Sequence, residues 1–161
     1  MTRRKWILVA EDNAVDADLA LRTLQCDIPE GEVVIASDGA EALDCLYQRG
    51  AYEARDLGNP VAVLLDLKMP RVDGLEVLHE IKADPHLKHI PVVIFSSSRE
   101  ESDITRCYQL GANAYVVKPV AFPEYRTVLQ NVRTFWMMIN ELPVGDCTGN
   151  RTRTPQLITL A

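Results

Sequence analysis

The chain is predicted to be a doubly wound α/β domain with five parallel strands in the order 2-1-3-4-5 and helices on both faces. Three observations predict it. Short apolar runs alternate with helix-period segments five times along the chain. The run Val61-Ala62-Val63-Leu64-Leu65 is apolar throughout, as expected of a strand covered on both faces. Two of the strands end in acids, Glu11-Asp12 and Asp66, where an open parallel sheet places its ligand crevice.

The first unit is Lys5 to Ala10, an acidic turn Glu11-Asp12-Asn13, and a helix carrying Val15, Leu19, Leu21 and Leu24. Glu32 to Ala36 is the second strand, and Ser37-Asp38-Gly39 leads into a helix with Ala42, Leu43 and Leu46. Arg49 to Asn59 reads as a long polar connection. After the central strand, Asp73 is placed to cap a helix through Leu75, Val77, Leu78 and Ile81 that ends near Asp84-Pro85. Pro91 to Phe95 is the fourth strand and opens into Ser96-Ser97-Ser98. A helix from about Glu100 to Leu110 stops at Gly111, a C′ position. Ala114 to Val117 is the fifth strand, closed by Lys118-Pro119, whose peptide bond is a candidate for the cis form. The last helix runs from about Phe122 to Ile139. The domain is assigned to residues 1–142 and a loose tail to 143–161.

A chain of 161 residues with 47% apolar residues supports one ordinary core and no second domain. The net charge of −6, with no basic run beyond Arg3-Arg4-Lys5, excludes a nucleic-acid surface. No apolar run reaches the roughly 18 residues of a membrane span, and the short apolar start runs straight into acids. A cytoplasmic protein is expected. Cys26, Cys45, Cys107 and Cys147 form no Cys-x-x-Cys pair and read as incidental thiols. Asp84, His86 and His89 lack a fourth ligand and read as surface loop.

Strands one and three meet at the switch point of the flavodoxin-like strand order, so Glu11, Asp12 and Asp66 are expected to share one crevice. Three adjacent carboxylates repel one another unless a cation neutralises them. Mg²⁺ (or Mn²⁺) suits such an oxygen set and commonly takes a phosphate oxygen as well. Strand four delivers the Ser96 hydroxyl and strand five the Lys118 ammonium to the same edge. Acids, hydroxyl and lysine together describe phosphoryl transfer to a carboxylate.

The set Glu11-Asp12, Asp66, Lys68-Met69-Pro70 with Asp73-Gly74, Ser96, Tyr115 and Lys118-Pro119 closely resembles, in order and spacing, the receiver domain of two-component response regulators over about residues 5 to 140. The resemblance implies that Asp66 is the phosphoacceptor and that Lys118 contacts the phosphoryl group. It implies a metal held by Glu11, Asp12, Asp66 and the backbone carbonyl of Lys68, and a switch pair of Ser96 and Tyr115. A sensor histidine kinase is the implied donor, a phosphotransfer or target protein the implied downstream partner, and no turnover enzyme is implied. The Arg49–Asn59 connection, the Phe135-Trp136 pair and the absence of an output domain are similar to single-domain regulators paired with bacterial phytochromes. Two departures stand out: the first acid is Glu where Asp is common, and Lys68 occupies the second position after the acceptor.

Two rivals come from other classes. An aspartyl-phosphate phosphatase needs a second Asp as general acid, and Lys68 stands where that acid would be. A constitutive interaction module with a vestigial site would not need the full set of acids, hydroxyl and lysine. Finally, a helical wheel at about 100° per residue places Phe122, Tyr125, Val128, Leu129, Val132, Trp136 and Ile139 on the sheet face, with Phe135 at its edge and Met137 and Met138 outside it. That exposed apolar group predicts a homodimer through the last helices.

Overall fold

The computed structural model describes residues 4–26 and 32–143. Its five strands are β1 (Ile7–Ala10), β2 (Val33–Ala36), β3 (Ala62–Leu65), β4 (Val92–Ser96) and β5 (Ala114–Val117). All neighbouring pairs are parallel and the order is β2-β1-β3-β4-β5. The helices are α1 (Ala14–Gln25), α2 (Gly39–Tyr47), α3 (Gly74–Ala83), α4 (Glu101–Gln109) and α5 (Phe122–Arg133), the last continued by a π turn, Thr134–Ile139. The predicted fold class is therefore the observed one. The tail from residue 144, with Cys147, lies outside the described residues.

Alternation along each strand divides the core in two. Trp6, Leu8, Ala10, Val63, Leu65, Val92 and Ile94 pack against Ala42, Leu46, Val77, Leu78, Ile81 and Cys107 from α2, α3 and α4. The residues between them, Ile7, Val9, Leu64, Val93 and Phe95, meet Ala20 and Leu24 of α1 and Tyr125, Leu129 and Val132 of α5. Burying both faces of β1, β3 and β4 requires the uninterrupted apolar runs seen in the sequence, at roughly 1.5–3 kcal/mol for each large side chain removed from water.

The caps fix where these helices begin and end. Asn13 Oδ1 accepts the amides of Val15 (3.0 Å) and Asp16 (3.1 Å) to start α1. Asp73 and Glu76 form a reciprocal capping box that starts α3. Gly111, at φ +98°, ends α4 in the left-handed region, its amide bonded to the Tyr108 carbonyl. The Arg49–Asn59 connection contains a single 3-10 turn, Gly50–Tyr52, and is tied down where the Trp6 indole Nε1 donates to the Leu57 carbonyl at 3.0 Å.

Three expectations need correction. The Lys118–Pro119 bond is trans; no cis peptide occurs among the described residues. Met137 is buried in the α1/α5 core, not exposed, whereas Phe122 and Ile139 are exposed, not packed on the sheet. The π turn explains the last helix: the Asn140 amide bonds back five residues to the Phe135 carbonyl, so a turn takes more residues than the wheel assumed and Met137 comes round into the core. Phe122 opens α5 before the first residue of that helix to be buried, Tyr125. What stays exposed at the end is Phe135, Met138 and Ile139.

Candidate functional site: an acidic crevice at the strand tips

The register brings the acids together. Ala10 lies opposite Ala36 on one side and Leu65 on the other, so the residues that follow β1 and β3 leave the sheet side by side. The Asp66 amide donates to the Ala10 carbonyl (3.1 Å) and the Glu11 amide to the Ala36 carbonyl (2.9 Å), which extends the ladder to the acids themselves. Glu11, Asp12 and Asp66 each offer an oxygen within 4.8 Å of the others, the arrangement a metal ion needs among the described residues. Asp12 is exposed, Asp66 half-buried and Glu11 buried.

Lys118 reaches into this group from the end of β5. Its Nζ lies 2.5 Å from Glu11 Oε2, 3.1 Å from Asp66 Oδ2 and 3.5 Å from Asp16 Oδ2, with the Phe95 ring below it. Burial works against the ammonium, but the hydrogen bonds and charges of Glu11 and Asp66 outweigh it and hold the Lys118 pKa above the usual lysine range. Burial dominates at Glu11, so its pKa stays raised although Lys118 and the Asn13 amide both favour the carboxylate. The buried acid thus has an incentive to gain more positive charge than one lysine supplies. Oxygen donors, two of them reachable from solvent, fit a hard divalent ion that keeps several waters.

The loop after Asp66 is tightly set. Asp66 Oδ1 accepts the Leu67 amide at 2.7 Å, and the Gly74 amide donates to the Leu67 carbonyl at 2.8 Å. Gly74 lies so close to this segment that a Cβ there would come within 2.1 Å of the Asp66 carbonyl oxygen. Lys68 is exposed between the buried Leu67 and Met69.

Ser96, the last residue of β4, is buried; its hydroxyl oxygen accepts the Ser98 amide at 3.2 Å. The Tyr115 hydroxyl donates to the Ser98 carbonyl at 2.9 Å. The two expected switch residues are therefore joined through Ser98, whose own hydroxyl donates to Asp103 Oδ2 in the first turn of α4 (2.6 Å). Asp84, by contrast, caps its own loop by accepting the His86 and Leu87 amides.

The sequence reading overlooked Asp16, the third acid facing Lys118; its place in the first turn after an Asn N-cap was the available signal. It also overlooked the ion pair between Asp38 and Arg71 at the same edge of the sheet.

A parallel five-stranded sheet with three acids and a lysine at the tips of its strands defines a receiver domain. The chain belongs to the response regulator receiver domain family, which it matches over residues 7–130. Among its relatives is response regulator Rcp1 of Synechocystis sp., 37% identical over 141 residues, 88% of this chain and 95% of that one; Rcp1 has been solved with Mn²⁺ bound (TM-score 0.78, covering 86% of this chain and 99% of that chain). The phosphorylated cyanobacterial phytochrome response regulator RcpA is 39% identical, superimposes with a TM-score of 0.81, and is covered over 99% of its length by 87% of this chain. The bacteriophytochrome response regulator AtBRR is 51% identical, with a TM-score of 0.67 over 85% of this chain and 98% of that one.

Proposed function

We propose that this protein is a phosphorylation-controlled response regulator that accepts a phosphoryl group on Asp66 from a sensor histidine kinase and responds by changing a protein-binding surface. The observation that carries the reading is the convergence of Glu11, Asp12 and Asp66 within 4.8 Å of one another, with the Lys118 ammonium bonded to Glu11 and Asp66. Asp66 is the nucleophile: a carboxylate oxygen attacks phosphorus and the histidine nitrogen of the donor leaves. Lys118 neutralises phosphoryl oxygens as they approach. Mg²⁺, or Mn²⁺, would be held by Glu11, Asp12, Asp66 and the Lys68 carbonyl, and would supply charge neutralisation for the incoming phosphoryl group.

Ser96 and Tyr115 are the proposed switch. Withdrawal of the Ser96 hydroxyl toward the phosphoryl group would break its bond to the Ser98 amide, and the Tyr115 bond to the Ser98 carbonyl would go with it. The likeness to phytochrome response regulators supports a bacteriophytochrome as the kinase. We take residues 1–142 as the receiver unit and place the protein in the cytoplasm; no helix among the described residues is long and apolar enough to cross a membrane. The downstream partner would be a phosphotransfer or target protein, and no catalytic turnover is assigned beyond slow loss of the phosphoryl group.

The test of the metal set is Asp12→Ala, expected to lower Mg²⁺ affinity about tenfold or more while leaving the fold intact, because Asp12 is the exposed ligand and packs on little. Matching Mg²⁺ titrations of variant and parent would contradict it.

A homodimer through the last helix is the proposed assembly. Phe135 is 45%, Met138 74% and Ile139 62% exposed, a cluster that a lone solvated helix end would not carry. Sedimentation at micromolar concentration is expected to show a dimer for the parent and a monomer for the Phe135→Ser, Met138→Ser double variant. A monomeric parent, with and without a phosphodonor, rules the dimer out.

A further inference from the structure

Asp38 and Arg71 stand at the same edge of the sheet as the acids without belonging to them. Asp38 follows β2, which ends opposite the end of β1. Arg71 sits in the loop that carries the chain from Asp66 to α3. Asp38 divides its two oxygens: Oδ1 accepts the Glu41 amide at 2.8 Å and so caps α2, while Oδ2 accepts Arg71 Nε at 2.9 Å and Nη2 at 2.6 Å.

The backbone of Arg71 lies at φ +66°, in the left-handed region. A turn that needed only this geometry is best served by Gly or Asn, and a long side chain persists there when its surroundings over-determine the conformation. Here the strained residue gains reach to Asp38. The same contact is enforced one residue on, where a Cβ on Gly39 would lie 2.0 Å from the Val72 carbonyl oxygen. The turn that anchors the pair is itself held: Glu41 Oε2 accepts the Ser37 amide (2.7 Å) and hydroxyl (2.6 Å), and Glu41 Oε1 accepts the Tyr52 hydroxyl (2.8 Å). A fixed turn therefore grips the loop between the phosphoacceptor and α3.

We infer that the Asp38–Arg71 ion pair is a positioning device for the metal and phosphoryl site, clamping the loop after Asp66 to the start of α2 and so fixing the Lys68 carbonyl. The inference rests on the phosphoacceptor reading above. The pair adds little to global stability, because the Arg71 side chain is 63% exposed. Its effect is to restrict a loop whose carbonyl must be held within a fraction of an ångström of its working position.

Three variants of the full chain test it. Arg71→Gly removes the guanidinium and accepts the positive φ; Asp38→Asn keeps an equally good helix cap and removes the charge; the third combines them. Mn²⁺ binding is read by electron paramagnetic resonance, with the half-life of the phosphorylated state as second readout. Each single variant is expected to weaken Mn²⁺ about tenfold and to change the phosphoryl half-life, with the urea midpoint unmoved. The double variant is expected to match the singles, since two halves of one contact do not add. Variants that bind Mn²⁺ as the parent does, additive losses, or losses that track the urea midpoint overturn the inference alone. A parent that takes up neither Mn²⁺ nor a phosphoryl group overturns the phosphoacceptor reading and this inference with it.

Discussion

Lys118→Met is expected to cost about 3 kcal/mol of stability near neutral pH, the order seen when one partner of a buried ion pair is removed. The lysine side chain is 10% and the glutamate 4% exposed, so solvent does little to replace the lost contact. Glu11 would be left buried beside Asp66 with no cation within hydrogen-bonding reach. Its pKa already lies above the ordinary glutamate value of 4.5, because burial outweighs the lowering by Lys118, and loss of that lowering sends it higher. A carboxyl whose folded pKa exceeds its unfolded pKa contributes stability below the unfolded value and loses it as pH rises through the folded one. The deficit of the variant should therefore be largest at neutral pH and shrink toward pH 4.5. Urea denaturation of parent and variant near neutral pH and at about pH 5 checks this. A deficit that widens on acidification, or none at all, contradicts the electrostatic account of the crevice.

Gly74→Ala carries the second large effect. The added Cβ would meet the Asp66 carbonyl oxygen at 2.1 Å and the Leu67 Cα at 2.7 Å, both backbone atoms that cannot swing aside. The expected loss is about 3 kcal/mol from overpacking, although Ala is otherwise the better helix former by up to about 1 kcal/mol. Relief of the clash must displace the backbone that carries the phosphoacceptor, so phosphoryl acceptance should fall further than stability. Gly50→Ala is the control: it has φ +55° but open space around it, and about 1 kcal/mol of backbone strain is the whole expected cost. Denaturant midpoints and phosphorylation yields of the two variants give the comparison. Equal behaviour would show that the close approach at Gly74 has no consequence.

The parts of the site legible in the sequence are those set by local pattern. An apolar run that stops at an acid places that acid at a strand tip, which located Glu11, Asp12 and Asp66; the end of the fifth apolar run placed Lys118 in the same way, whereas Tyr115 followed from the resemblance to receiver domains. The strand order followed once five alternating units were recognised, and Asp73 announced the start of α3. What sequence pattern did not reveal depends on contacts between distant segments. Arg71 and Asp38 are far apart in the chain, and nothing in either neighbourhood requires the other. Asp16 became part of the site only when Lys118 reached α1 from the far side of the sheet. The π turn has no local signature, so a uniform helical wheel continued past Arg133 and put Met137 and Ile139 on the wrong sides. The structure of the tail beyond Pro143 lies outside the described residues.

The central claim is that Asp66 receives a phosphoryl group in a crevice built to neutralise it. Incubating the protein with a small-molecule phosphodonor and Mg²⁺, followed by intact mass measurement of parent and Asp66→Asn, tests it most directly. The account predicts a single phosphoryl addition to the parent, lost when Mg²⁺ is chelated beforehand, and no addition to a variant that remains folded. An addition of equal extent to Asp66→Asn, or a folded parent that stays at its original mass with donor and Mg²⁺ in excess, would contradict it.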